Sequence, residues 1–205
     1  MPDKGLRIGL RALAIFAVSL LLTSSWAATD WNEKVLHNFG SGADGNYPPA
    51  GLIRDAAGNL YGTTLYGGAH NYGTVFELSA SAGGGWTETV LHSFNNDGTD
   101  GWYPQAGLIF DAAGNLYGTT ARGGAYTYYG TVFELSPNGS GGWTETVLHS
   151  FGNGADGVFP FAGLTFDAAG DLYGTTYLGG TYDEGTVFEL TPVNPCATCS
   201  HANLR

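Results

Sequence analysis

The sequence predicts an all-β, propeller-like protein, and three observations carry that prediction. The first is a tandem repeat: DAAGNLYGTT from Asp55, DAAGNLYGTT from Asp111 and DAAGDLYGTT from Asp167, each 56 residues from the next. A fixed period of that size marks a chain built by stacking one supersecondary unit. The second is composition, because 34 glycines and an aromatic content of 14% in 205 residues fit tight turns between short strands whose rings fill the core. The third is that each copy holds four strand-like runs, the arithmetic of a propeller blade, whose known repeats span roughly 40 to 50 residues.

Taken in order, residues 1–27 have a basic start (Lys4, Arg7, Arg11), an apolar run from Ala12 to Leu22, and Ser25, Trp26, Ala27 in the small-x-small pattern of a signal-peptidase site. The run is shorter than the roughly 20 residues that span a bilayer. It reads as a cleaved secretion signal, with no membrane insertion afterwards. Residues 28–192 hold three tandem repeats centred on 55–64, 111–120 and 167–176, and 193–205 form a non-repeat tail.

Each unit opens on WNEKVLHNF (Trp31–Phe39), WTETVLHSF (Trp86–Phe94) or WTETVLHSF (Trp143–Phe151), whose alternating β-branched, aromatic and polar residues predict a strand. An Asp-Gly loop with aromatics and proline follows, then the short strands GLIRD, GLIFD and GLTFD. The segment DAAGN closes a hairpin, with Asp opening the turn and Gly114 suited to a left-handed conformation. The next strand is LYGTT, whose glycine predicts a close backbone neighbour. A variable loop beginning Gly-Gly leads to the fourth strand, GTVFEL. The middle unit is one residue longer in each of the two loops while its strands keep their lengths, as expected where loops absorb insertions and paired strands do not.

The phase of the repeat adds a further expectation. The chain enters on WxExVLHxF and leaves its last unit on GTVFEL, so the last blade lacks the strand that the N-terminal segment supplies. Propellers often close their seam in this way. They also need at least four blades. The expected architecture is therefore three four-stranded repeats forming a partial propeller, or half of a six-bladed ring closed by a homodimer through strand exchange. A truncated fragment of a longer repeat protein is the other reading.

After the leader, Lys34, Arg54, Arg122 and Arg205 are the strong cations against seventeen carboxylates, and the net charge is −11. Nucleic acid and anionic membrane surfaces are poor partners for such a chain, since both need clustered Lys and Arg. The acidity fits a soluble protein outside the cell.

Taken together, DAAGNLYGTT, the Gly-Gly loop, GTVFEL and WTETVLHSF resemble the GloVer tandem repeat of secreted bacterial proteins with a choice of C-terminal anchors, over about residues 31–192. The resemblance implies export to the medium or the cell surface and carries no catalytic residue. The tail from Thr191 lacks the sorting signal that many members bear. More loosely, the repeat resembles blades of sensor-type propellers that bind other molecules.

Candidate chemistry is sparse. Asp44, Asp100 and Asp156 precede glycine in the loop and are candidate Ca²⁺ ligands, or turn residues accepting backbone hydrogen bonds. His37, His92 and His149 recur at one strand position, on the alternate face that also holds Trp, Glu, Val and Phe. They are either three ligands converging on a metal at an axis or, the reading preferred because equivalent outer-strand positions lie far apart, inter-blade hydrogen-bonding groups. Glu77, Glu134 and Glu189 also repeat. Catalysis draws unlike groups to one point, so repetition argues against a catalytic role for any of these.

The variable loops are the better candidates for binding. Trp102, Tyr103, Phe159, Tyr126, Tyr128, Tyr129 and Tyr182 offer rings beside Asn and Asp, as a glycan or a surface protein requires. Tyr47, Tyr72 and Phe161 lie in the same loops. Inter-blade packing is the competing role. Asp183 and Glu184 form a non-repeated acidic pair. Cys196 and Cys199 are the only cysteines and, in an exported chain, a candidate disulfide. The sequence points to a secreted, non-catalytic binding module with no cofactor beyond Ca²⁺. A metal-assisted carbohydrate-acting lyase, hydrolase or lactonase is the alternative.

Overall fold

The computed structural model describes residues 31–40 and 43–192. The secretion signal expected at 1–27 and the pair Cys196 and Cys199 lie outside the described residues. Residues from Val35 onward belong to one compact unit, and the fold described here is that unit. Its elements are all strands.

The first blade runs through β1 (Gly45–Asn46), β2 (Ile53–Arg54), β3 (Leu60–Thr64), β4 (Tyr66–Gly67), β5 (Thr74–Ala80) and β6 (Trp86–Ser93). Strands β2, β3, β5 and β6 form one four-stranded antiparallel meander, and β1 pairs with β4 as a short ribbon. The second blade repeats this with β7 (Gly101–Trp102), β8 (Ile109–Phe110), β9 (Leu116–Thr120), β10 (Arg122–Gly123), β11 (Thr131–Asn138) and β12 (Gly142–Ser150). The third comprises β13 (Gly157–Val158), β14 (Thr165–Phe166), β15 (Leu172–Thr176), β16 (Leu178–Gly179) and β17 (Thr186–Leu190). Its main sheet has three strands, β14-β15-β17.

Each WTETVLHSF segment thus pairs with the GTVFEL strand before it and closes that blade. The expectation of a strand over Trp31–Phe39 is not met, because residues 31–40 carry no strand. No strand pairs with them among the described residues, and a strand without a ladder partner leaves its backbone groups unpaired.

The hairpin turn forms as the sequence predicts. Asp55 Oδ1 accepts the Asn59 N–H at 2.8 Å, Asp111 Oδ1 accepts that of Asn115 at 2.8 Å, and Gly58 and Gly114 take φ of 97° and 87°. The glycine of LYGTT has a different neighbour from the one expected. A Cβ on Gly118 would lie 2.6 Å from the Phe133 ring and 2.9 Å from Leu108, so side chains rather than a second backbone fill that space. A threonine pair fastens each blade: Thr64 to Thr74, Thr120 to Thr131 and Thr176 to Thr186, each 2.8 Å apart.

The core lies between blades. Tyr61 and Val75 of the first blade pack with Phe94, Leu108, Leu116 and Phe133 leading into and within the second. Val132 then packs with Phe151, Leu164 and Leu172 across the next junction. The same residue types therefore make the same contact twice.

One irregularity positions the polar residues. On the outer strands, Val75 pairs with His92 and Phe76 with Val90, while Val132 pairs with His149 and Phe133 with Val147. Leu91 and Leu148 are extra residues in a β-bulge. Cross-strand partners share a face and neighbours along a strand alternate, so the bulge moves His92 to the face opposite Val90, Glu88 and Trp86. The sequence expectation of one shared face for these residues is corrected accordingly. Each outer strand turns its Trp and Glu toward the blade before it and its His toward the blade after it.

Candidate functional site

The chemistry-bearing residues gather at the blade junctions. At the junction of the first two blades, His92 Nε2 lies 3.2 Å from Asp100 Oδ2, which also accepts the Asn95 N–H at 2.9 Å. Glu145, facing back from β12, brings its carboxylate within 4.8 Å of both. Asp100 is 4% exposed, and its Oδ1 and Glu145 Oε1 are buried with no hydrogen-bond donor among the described residues. Burial, followed by the negative charge of Asp100, pushes the Glu145 carboxyl up to about 8. At neutral pH Glu145 therefore holds its proton, since burial beside a second carboxylate disfavours its ionised form.

The cluster recurs with variations. His37 lies 3.2 Å from Asp44, and burial raises the Glu88 carboxyl above its ordinary value, with the His37 and Asp44 charges acting in opposite senses. Glu88 Oε1 is also buried with no donor among the described residues. His149 lies 2.8 Å from Asp156, and this pair is more exposed than the one at His92. The Asp side chains serve the loop as well: Asp44 accepts the Gly40 N–H at 3.0 Å and Asp156 that of Gly157 at 2.9 Å. Asp97, in the same loop as Asp100, is held down at about 2 by the backbone N–H groups of Asp100 and Thr99.

Among the described residues, His92, Asp100 and Glu145 are the group whose donors converge closely enough for a cation. One imidazole nitrogen and two carboxylates suit a first-row divalent ion. Ca²⁺ prefers six to eight oxygens, so the aspartates named as Ca²⁺ candidates sit in a mixed set. Glu88 and Glu145 escaped the sequence reading because their partners lie in the neighbouring unit. The recurring glutamate of WxE was the available signal.

The two variable loops meet at one end of each blade. The ribbons pair Gly45 with Gly67, Gly101 with Gly123 and Gly157 with Gly179, which brings the Asp-Gly loop onto the Gly-Gly loop. There Tyr47, Tyr103 and Phe159 occupy one repeat position, all with left-handed φ of 55°, 59° and 60°. That conformation costs a non-glycine residue about 1–3 kcal/mol. Their carbonyls accept the Leu65, Ala121 and Tyr177 N–H groups, and the Tyr103 and Phe159 amides donate back to Tyr72 and Tyr129 of the preceding blade.

Rings extend along this end. Tyr66 and Tyr72 contact Tyr103, Tyr72 also meets Trp102, and Tyr129 meets Phe159, which stacks on Phe161 and lies under Arg122 at 4.3 Å. Of the sequence candidates, Trp102, Tyr103 and Phe159 are half-buried in inter-blade ladders, whereas Tyr126, Tyr128, Tyr129 and Tyr182 are exposed. Asp183 and Glu184 are also exposed, and Asp183 accepts the Gly179 N–H at 3.0 Å. They stand apart from the His and Asp clusters in sequence, and Asp183 serves the Gly-Gly turn.

No curated protein and no solved structure is significantly similar to the chain. The Gloeobacter/Verrucomicrobia repeat matches residues 23–202. Three successive blades, the recurring DAAG turn and the repeated junction are what such a match leads one to expect, and the chain belongs to the Gloeobacter/Verrucomicrobia repeat family.

Proposed function

We propose that the chain is an exported, non-catalytic binding module whose ligand surface is the aromatic end of its blades, and that the ligand is a glycan. The observation that carries this reading is the left-handed aromatic at Tyr47, Tyr103 and Phe159. Backbone strain repeated at one loop position is held by the surrounding structure and tends to serve binding. Beside it, Tyr126, Tyr128 and Tyr182 present exposed rings, with hydroxyls at the edge of flat apolar faces as sugar recognition requires.

The polar junction clusters support the non-catalytic part, because they repeat from blade to blade and the best-formed one holds a 4%-exposed Asp100. Export rests on the leader-like residues 1–27.

The test is a pull-down on insoluble polysaccharides together with affinity electrophoresis in soluble ones, comparing the wild type with Tyr128→Ala/Tyr182→Ala. Retention that the double substitution abolishes supports the reading. Equal migration of both proteins in every polysaccharide overturns it.

A further inference from the structure

The first and last blades each present a flank that the other junctions show covered. Val75 and Val132 are 0% exposed, but Val187, the same repeat position in β17, is 80% exposed. In the opposite sense, Leu108 and Leu164 are 2% and 7% exposed while Leu52 of the first blade is 48% exposed. Thr63 and Thr119 donate to the carbonyls of Ala106 and Ala162 in the next blade, at 3.1 and 3.2 Å. Thr175, their equivalent, is exposed. A Cβ on Gly73 or Gly130 would meet Pro104 or Pro160 of the following blade at 2.7 Å, and no proline lies against Gly185.

The two flanks complement each other in detail. A pocket of about 310 Å³ on the first blade is lined by Phe39, Pro48, Ala50, Leu52 and Phe76. Phe39 and Leu52 are the repeat counterparts of Phe151 and Leu164, which enclose Val132. It is the socket for a valine at the position of Val187. At the other side, a groove of about 510 Å³ opens beside Tyr117, Val147, Phe166, Leu172 and Leu190. At the preceding junction Trp143 packs against the corresponding cluster, which contains Tyr61, Leu116 and Phe110. The groove is therefore the place for the tryptophan of a strand laid along β17. Among the described residues, no glutamate joins His149 and Asp156 as Glu88 and Glu145 join the other two clusters.

We propose that the open flank of the third blade docks a second copy of this chain, whose residues Trp31–Phe39 add to β17 as its fourth strand, two such junctions closing a six-bladed ring. The register of β12 on β11, where Leu135 faces Glu145 and Glu134 faces Thr146, transfers directly. It sets Leu190 opposite Glu33 of the partner subunit, which delivers that carboxylate toward His149 and Asp156. It sets Glu189 opposite Lys34 of the partner subunit.

Lysine occurs at that strand position in this segment alone, the other two copies having Thr89 and Thr146. An opposite-charge cross-strand pair is stabilising, so the segment that lacks a sheet carries the charge suited to the sheet that lacks a strand. Two copies give six blades, within the four to eight of closed propellers, whereas three copies would give nine. The inference concerns assembly and stands whether or not the aromatic end binds a glycan.

The experiment is sedimentation equilibrium on protein from residue 28 onward, for wild type, Lys34→Glu, Glu189→Lys and the charge-swapped double. Circular dichroism confirms the fold of each, since both side chains are exposed. A dimer is expected, weakened on the order of tenfold by either single change, because each acts at two junctions, and restored in the double. A monomer at tens of micromolar, a trimer or larger species, or a dimer indifferent to all three variants overturns the proposal. A monomer would move attention to another occupant of β17, such as further repeats in a longer protein.

Discussion

Glu145→Gln tests the junction cluster most sharply. The Glu145 carboxyl is pushed up to about 8 in the folded protein, against about 4.3 in an unfolded chain. A carboxyl whose folded value is raised binds its proton more tightly when folded, so its stabilisation is full below about pH 4 and is lost as pH rises toward 8. The slope is about 1.4 kcal/mol per pH unit, which over that window is on the order of several kcal/mol. Glutamine keeps the shape and supplies an N–H that does not titrate where the wild type has a carboxyl proton beside Asp100.

The assay is urea unfolding of both proteins from pH 5 to pH 8.5. Every other titratable group is common to both proteins, so the difference between the curves isolates Glu145. The variant should gain on the wild type steadily with pH and be the more stable at pH 8. For a domain of this size each kcal/mol moves Tm by about 2–4 °C. Parallel pH profiles, or a variant less stable at pH 8, would refute a raised Glu145 carboxyl at the junction.

Two further predictions follow from the packing and the loops. Phe133 is fully buried against Phe94 at the first junction, so Phe133→Ala should cost about 3–5 kcal/mol in chemical denaturation, and a loss below about 1 kcal/mol would contradict the inter-blade core. Asp97, held at about 2 by backbone N–H groups, and Asp167, lowered chiefly by the Asp171 N–H, add stability that is present above about pH 4 and lost as pH falls through their folded values. Asp97→Asn should therefore flatten the acid limb of the stability profile, and an unchanged limb would count against that loop geometry.

The strands and turns were legible because their signals are local. The Asp and Gly of DAAGN determine a turn through bonds spanning four residues, and the insertions in the middle unit mark loops directly. The junctions were not legible for a related reason. The bulge at Leu91 has no residue signature of its own, yet it reverses the face of His92 and makes the contact with Asp100 and Glu145. Glu145 meets His92 from the next blade, a relation that the repeat period does not express. The glycine of LYGTT announced a close neighbour, and only packing could show that the neighbour was the Phe of GTVFEL. The segment Trp31–Phe39 has a strand's composition, but strand structure also requires a partner edge. Ring identity was readable in the loops, whereas which rings stack between blades and which face solvent depended on the ribbon pairing Gly101 with Gly123.

Completion of β17 by another chain is what joins the open flanks of the first and third blades. Hydrogen–deuterium exchange on the wild-type protein, measured at concentrations well above and well below its self-association range, addresses this directly. The predicted result is that amides of residues 31–39 and 186–190 are protected together at high concentration and lose protection together on dilution, while β5 and β11 exchange slowly throughout. Rapid, concentration-independent exchange of residues 31–39 would contradict the account.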